Sequence, residues 1–137
     1  MNIGLIGLGY WGKNLLRNLI IHKDIQNIHI YDTRIEKVKK SPNIFYYTDK
    51  KKFFSNNNIN LFIISSPTKT HFDFIKECLK LNKYVCITKP FVSNFNQIQK
   101  IQNNFKNTNN IFLDHTYLFH SSIKHMKYLI DKKKLGK

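Results

Sequence analysis

The sequence predicts an α/β fold, a doubly wound and mostly parallel sheet of about six strands with helices on both faces. Three observations predict it. Short apolar runs alternate with helical periodicities along the whole chain. Leu61-Phe62-Ile63-Ile64 is continuously apolar, as expected of a strand buried on both faces. A glycine-rich turn separates the first strand from the first helix. Strands joined through helices pair in parallel by right-handed crossovers, and the expected strand order is 3-2-1-4-5-6.

The elements follow in order. Ile3 to Ile6 reads as a strand, closed by Gly7-x-Gly9-x-x-Gly12. Leu15, Leu16, Leu19 and Ile20 recur at helical spacing and predict a helix over residues 11–22. Asn27 to Tyr31 is a second strand, and Asp32 and Thr33 open a helix that runs through Lys40 and stops at Pro42. Ile44 to Tyr47 is a third strand, and Lys50 to Asn56 a short helix. After the fourth strand, Ser65 to Thr70 forms a turn, with Thr70 and His71 capping and opening the next helix. Phe72, Ile75, Cys78 and Leu79 mark one face of that helix, and Tyr84 to Ile87 is the fifth strand. Ser93 or Asn94 caps a helix with Phe95, Ile98, Ile101 and Phe105 inward. Ile111 to Leu113 is the sixth strand, and a last helix spans Ser121 to Lys132.

Composition bounds the class. The 137 residues make one domain with enough apolar content (42%) to bury a core without staples. No stretch approaches the roughly 18 apolar residues of a membrane span, and the N-terminus carries no signal-peptide pattern, so the expected location is cytoplasmic. Cys78 and Cys86 lack metal spacing and read as reduced, buried thiols. His22, His29, His120 and His125 form no ligand pair with a carboxylate, and no metal is inferred. The net charge of +15 invites a nucleic-acid reading. Abundant Lys, Asn, Ile, Phe and Tyr beside scarce Gly reads more simply as the mark of an A/T-rich coding sequence. The runs Lys50-Lys51-Lys52 and Lys132-Lys133-Lys134 come with no RNA-binding aromatic motif.

The glycine turn carries the chemistry. Gly7 permits a tight turn, Gly9 lets backbone approach a phosphate, and Gly12 lets the helix pack close to the strand with its dipole aimed at the anion. A strand, this turn and a helix in that order suit a dinucleotide pyrophosphate. Asp32 stands twenty positions after Gly12 at the end of the second strand, where a carboxylate accepts both ribose hydroxyls of NAD; it also suits a helix N-cap. Arg34, two residues on, leaves room for NADP. Ser65, Pro67 and Thr68 line the cofactor's path or simply make the strand-to-helix turn. Tyr10 and Trp11 shield the phosphate loop or pack at the helix start. Thr88-Lys89-Pro90 and Asp114-His115 end the fifth and sixth strands on the same edge, and His115 either faces the site or serves as a hydrogen-bonded structural residue. An ammonium at Lys89 can hydrogen-bond a substrate hydroxyl, stabilise a developing alkoxide or relay a proton; otherwise it is a solvated turn lysine.

Three stretches, Gly7-Leu8-Gly9-Tyr10-Trp11-Gly12-Lys13-Asn14, Ser65 to His71 and Lys83 to Pro90, resemble the amino-terminal Rossmann domain of the Gfo/Idh/MocA oxidoreductases. The ending from His115 to Lys137 is similar to members that act on nucleotide sugars. The resemblance implies that Lys89 and Pro90 belong to a Glu-Lys-Pro motif at the nicotinamide end, that the lysine takes part in catalysis, and that substrates are sugars, nucleotide sugars or polyols. Thr88 stands where glutamate is usual, so a charge is missing there. The resemblance also implies a second domain, an open antiparallel sheet, that holds most substrate contacts. Residues 1–120 then form the cofactor domain and 121–137 a helix leading toward that domain.

Three functional readings order themselves from this. The first is the NAD(P)-binding part of a dehydrogenase that moves hydride between nicotinamide and a sugar or polyol hydroxyl, truncated and not catalytic alone. The second is a nucleotide-binding module without turnover, stand-alone or completed by a partner chain, with a homo-oligomer or a partner chain as the expected association. The third is a basic interaction or nucleic-acid-binding protein on the same scaffold.

Overall fold

The computed structural model describes residues 1–35 and 41–136. Among these, six strands form a single parallel sheet: β1 (Asn2–Ile6), β2 (Asn27–Tyr31), β3 (Ile44–Tyr47), β4 (Leu61–Ile64), β5 (Tyr84–Thr88) and β6 (Ile111–Asp114). Their order is β3-β2-β1-β4-β5-β6, as the alternation of elements predicts. β1 lies at the centre, with Leu5 opposite Ile30 on one side and Ile63 on the other. The path leaves β1 toward β2 and β3, then returns across it to β4. That reversal opens a crevice at the carboxyl ends of β1 and β4.

Each face of the sheet has its own core. On one side α1 (Tyr10–Ile21) sets Leu16 against Ile3, Leu5, Ile28, Ile30 and Ile63. On the other, α2 (Lys50–Phe54), α3 (Thr68–Lys80) and α4 (Phe95–Asn104) bring Phe53, Phe74, Ile75, Cys78, Leu79 and Ile101 onto Ile6, Phe62, Ile64, Val85 and Ile87. Phe53 is fully buried, with Tyr31, Tyr47, Phe54 and Phe62 rings at 5.5, 5.6, 5.1 and 5.7 Å. The short α2 owes its start to Asp49, whose Oδ1 accepts from the Lys51 and Lys52 amides at 2.8 and 3.2 Å. Asn94 caps α4 the same way, accepting from the Gln97 amide at 3.1 Å.

Two expectations change, and one lies largely outside the described residues. The helix from Asp32 through Lys40 falls largely on residues 36–40, outside the described residues, and Thr33 and Arg34 form a bend. Phe95 is 68% exposed although Ile101 is buried, because the first residue of α4 stands before the turn that reaches the sheet. α3 already begins at Thr68, so Thr70 and His71 lie inside the helix, and His71 is buried rather than capping.

The final helix, α5 (Ser121–Asp131), has no buried residue. Its Ile123, Met126 and Tyr128 are exposed, as are Tyr117, Leu118 and Phe119 in the 3₁₀ turn before it. Tyr84 (62%) and Phe112 (51%), on the β5–β6 side of the sheet, are exposed too. No helix among the described residues is long and apolar enough to cross a membrane.

Phe53→Ala removes a ring from the centre of the aromatic cluster and leaves a cavity. The expected loss is ~3–5 kcal/mol in denaturant unfolding. A second prediction concerns His29, buried with Nδ1 3.0 Å from the Tyr47 hydroxyl and stacked on Phe45 at 4.9 Å. Burial lowers its pKa from the usual 6.5, because the charged ring is disfavoured there. The unfolded chain therefore takes up this proton at a higher pH than the folded one. His29's contribution is full above pH 6.5 and falls as the pH drops from there toward the lowered value. Thermal melts of the parent should decline across that window, and His29→Gln should decline less steeply.

Candidate active site at the carboxyl edge of the sheet

The end of β1 is held from both neighbouring strands. The Gly7 amide donates to the Tyr31 carbonyl at 2.8 Å, and the Ser65 amide donates to the Ile6 carbonyl at 2.8 Å. The Ser65 hydroxyl donates to the Gly7 carbonyl at 2.8 Å. Gly7 has φ +94°, and a Cβ there would stand 2.7 Å from the Ser66 nitrogen, so both conformation and space require glycine. A Cβ on Gly12 would clash with the Gly7 carbonyl oxygen, so only glycine lets α1 pack so near the turn. At Gly9 nothing lies within 4 Å of the missing Cβ, so the backbone is open to solvent.

No side chain among the described residues caps α1, whose N-cap is Gly9. Its first-turn N–H groups therefore remain available donors beside an open glycine, a cradle that suits a pyrophosphate. Asp32 flanks the cradle. Its Oδ2 accepts from the Leu8 amide at 2.7 Å and its Oδ1 from the Arg34 amide at 2.9 Å. Each carboxylate oxygen retains a further lone pair. The carboxylate thus ties the glycine turn to the end of β2, a role that spacing alone did not disclose.

Beyond the turn, a cleft of about 530 Å³ opens between the ends of β4, β5 and β6. Trp11, Ser65, Ser66, Thr88, Lys89, Asp114, Thr116 and Tyr117 form its walls. Of the sequence-predicted residues, Trp11, Ser65, Thr88 and Lys89 therefore meet in one place. Tyr10, Asp32, Arg34, Pro67, Thr68 and Pro90 are not among its walls. The Thr88 hydroxyl turns inward and donates to the Ile64 carbonyl at 3.2 Å, so its proton serves the sheet. Lys89 is exposed and forms no ion pair among the described residues. His115 is exposed, and its carbonyl accepts from the Leu118 amide at 2.8 Å. Asp114 lies opposite Thr88 in register and supplies the cleft's carboxylate. Its place at the end of a strand is readable, whereas Thr116 and Tyr117 enter only through the resemblance of the ending from His115 to Lys137. Burial, then the Asp114 charge, push the Cys86 thiol up to about 11. Burial pushes Cys78 up further, so neither is a nucleophile near neutrality.

A family model for oxidoreductases with an NAD-binding Rossmann fold, GFO_IDH_MocA, matches residues 1–115. The chain belongs to the Gfo/Idh/MocA oxidoreductase family. It is the family's NAD-binding Rossmann domain that these residues build. An uncharacterised oxidoreductase of Escherichia coli, YdgJ, is 32% identical over 103 residues, covering 74% of this chain and 30% of that protein. Myo-inositol 2-dehydrogenase of Thermotoga maritima is 25% identical over an alignment that covers 100% of this chain and 42% of the relative. The crystal structure of scyllo-inositol dehydrogenase from Lactobacillus casei, with NAD(H) and scyllo-inositol bound, superposes with a TM-score of 0.79 at 21% identity, over 100% of this chain and 42% of that one. This Gfo/Idh/MocA domain thus spans less than half the length of these relatives.

Gly12→Ala tests the packing that makes the turn. The new methyl presses on backbone oxygen, and the expected cost is about 3 kcal/mol or more, read as a lowered melting temperature. A variant as stable as the parent would show that α1 and the turn separate freely.

Proposed function

We propose that this domain binds NAD in preference to NADP and is the cofactor-binding part of a dehydrogenase acting on a polyol or sugar hydroxyl. One observation carries the reading: the Asp32 carboxylate, the open glycine cradle and the Lys89 cleft lie in that order along one edge of the sheet. The named activities of the Thermotoga and Lactobacillus relatives support the polyol class.

In this reading the α1 N-terminus and the backbone of Gly7, Gly9 and Gly12 hold the pyrophosphate, with Tyr10 and Trp11 over it. Asp32 accepts from the adenosine ribose hydroxyls through its remaining lone pairs and repels a 2′-phosphate, with Arg34 at the rim. Ser65, Pro67 and Thr68 border the path to the cleft, and Thr88 and Pro90 flank Lys89. The bound nicotinamide supplies hydride acceptance or donation. Lys89 donates a hydrogen bond to the substrate oxygen and holds or returns its proton as the carbon changes oxidation state. Residues 1–120 form the cofactor unit, and 121–137 lead toward a substrate-binding domain or a partner that closes the cleft. Closure matters because hydride transfer needs the substrate carbon positioned and water excluded.

Calorimetric titration with NAD and NADP is the test. The expected result is measurable binding of NAD and weaker binding of NADP. Asp32→Ala should weaken NAD roughly 10- to 100-fold, the loss of hydrogen bonds to a charged group, and narrow the gap between the cofactors. No heat and no thermal shift with either nucleotide would overturn the cofactor reading.

A further inference from the structure

His71 has no part in the chemistry proposed above, yet it is among the most constrained polar side chains of the molecule. It lies on the first turn of α3, 1% exposed, between two segments that border the cleft. Its Nε2 is 2.7 Å from the Ser66 carbonyl oxygen. Its Nδ1 is 3.0 Å from the Pro90 carbonyl oxygen and 3.2 Å from that of Phe91. Carbonyl oxygens only accept, so any proton on the ring is donated to one segment or the other. The Nε2 proton holds the turn after β4, and the Nδ1 proton holds the residues that follow Lys89.

The ring also links the turn after β1 and β4 to the segment after β5. Ser65 is bonded to the Gly7 carbonyl, and the next residue, Ser66, presents its carbonyl to His71. Ser66 is fixed on its other side, because its hydroxyl lies 2.7 Å from the Thr70 hydroxyl. Lys89 itself has no ion pair among the described residues to fix its course. The segment just beyond it is anchored at Pro90 and Phe91, through His71.

We propose that His71 is the positioning residue of the cleft, an imidazole strut that sets the distance between the glycine-turn side and the Lys89 side. The structural claim concerns the loop and stands by itself; its catalytic meaning rests on the reading of Lys89 given above. An apolar ring of similar size would offer no donor to these three carbonyl oxygens. The two amide side chains separate the strut's ends. An asparagine amide reaches where Nδ1 lies, and a glutamine amide reaches where Nε2 lies.

The experiment reads backbone amide resonances of the cofactor-free, isotope-labelled chain for His71→Asn, His71→Gln and His71→Phe. Expected is a split. His71→Asn keeps Lys89, Phe91 and Val92 at their parent positions and displaces Ser66 and Thr68. His71→Gln keeps Ser66 and Thr68 and displaces Lys89, Phe91 and Val92. His71→Phe displaces both sets. The parent's ring should show at least one N–H protected from exchange with water. Equal displacement of both segments by the Asn and Gln variants would overturn the proposal, and so would a parent ring whose protons exchange freely. The ring measurement needs no variant, so freely exchanging ring protons overturn the proposal even where a substitution fails to fold. None of these readouts uses a cofactor, so a failure of NAD to bind would remove the functional reading and leave the strut standing.

Discussion

The carboxyl end of β1 is clamped from both sides, and the rest of the site depends on that clamp. β2 takes the Gly7 amide through the Tyr31 carbonyl, and β4 reaches across with the Ser65 amide and hydroxyl to the Ile6 and Gly7 carbonyls. Asp32 adds a third tie through the Leu8 amide. A loop with an open, uncapped helix N-terminus would otherwise be among the softest parts of a small domain. Here the strand order itself prevents this, because the central strand has neighbours whose ends project far enough to hold its turn.

This arrangement explains why so much was legible in the sequence. Apolar runs such as Leu61 to Ile64 are long enough only for strands, and the residue types between them fit only helices and turns. Gly7 and Gly12 announced themselves because each answers a separate steric demand. What spacing did not disclose was the direction of hydrogen bonds. Thr88 and Ser65 occupy the expected cleft, yet both hydroxyl protons go to backbone carbonyls within the sheet and its turn. His71 looked like a helix-opening residue because a polar side chain near a turn ordinarily caps it. Its burial depends on Pro90 and Phe91, which are distant in sequence, and no local pattern carries that information. Phe95 failed for a similar reason, since periodicity assigns a face but not how far along a helix the sheet extends.

The two faces of the sheet are unequal in a way that bears on the site. The face under α2, α3 and α4 is closed by a large aromatic cluster with Phe53 at its middle. The opposite face is covered by α1 on the β1–β2 side, while toward β5 and β6 it thins out and Cys86 is only half-buried. Lys89 and Asp114 emerge at that thinner end. Stability is thus concentrated away from the cleft, whose walls are carried on turns anchored individually by hydrogen bonds.

The apolar margin formed by Tyr84, Phe112, Phe119 and α5 also has a colloidal consequence. Among the described residues β6 is an edge strand, and its open side lies beside exposed rings, the combination that promotes sheet-to-sheet contact between molecules. Against this the chain carries a net charge of +15, which makes every approach of two copies repulsive. That protection is borrowed from dilute electrolyte. The screening length shrinks from about 10 Å at 0.1 M salt to about 3 Å at 1 M, so concentrated salt exposes one molecule's edge to another's. The lysines that contribute nothing to the cofactor cradle therefore govern the conditions under which the domain stays dispersed.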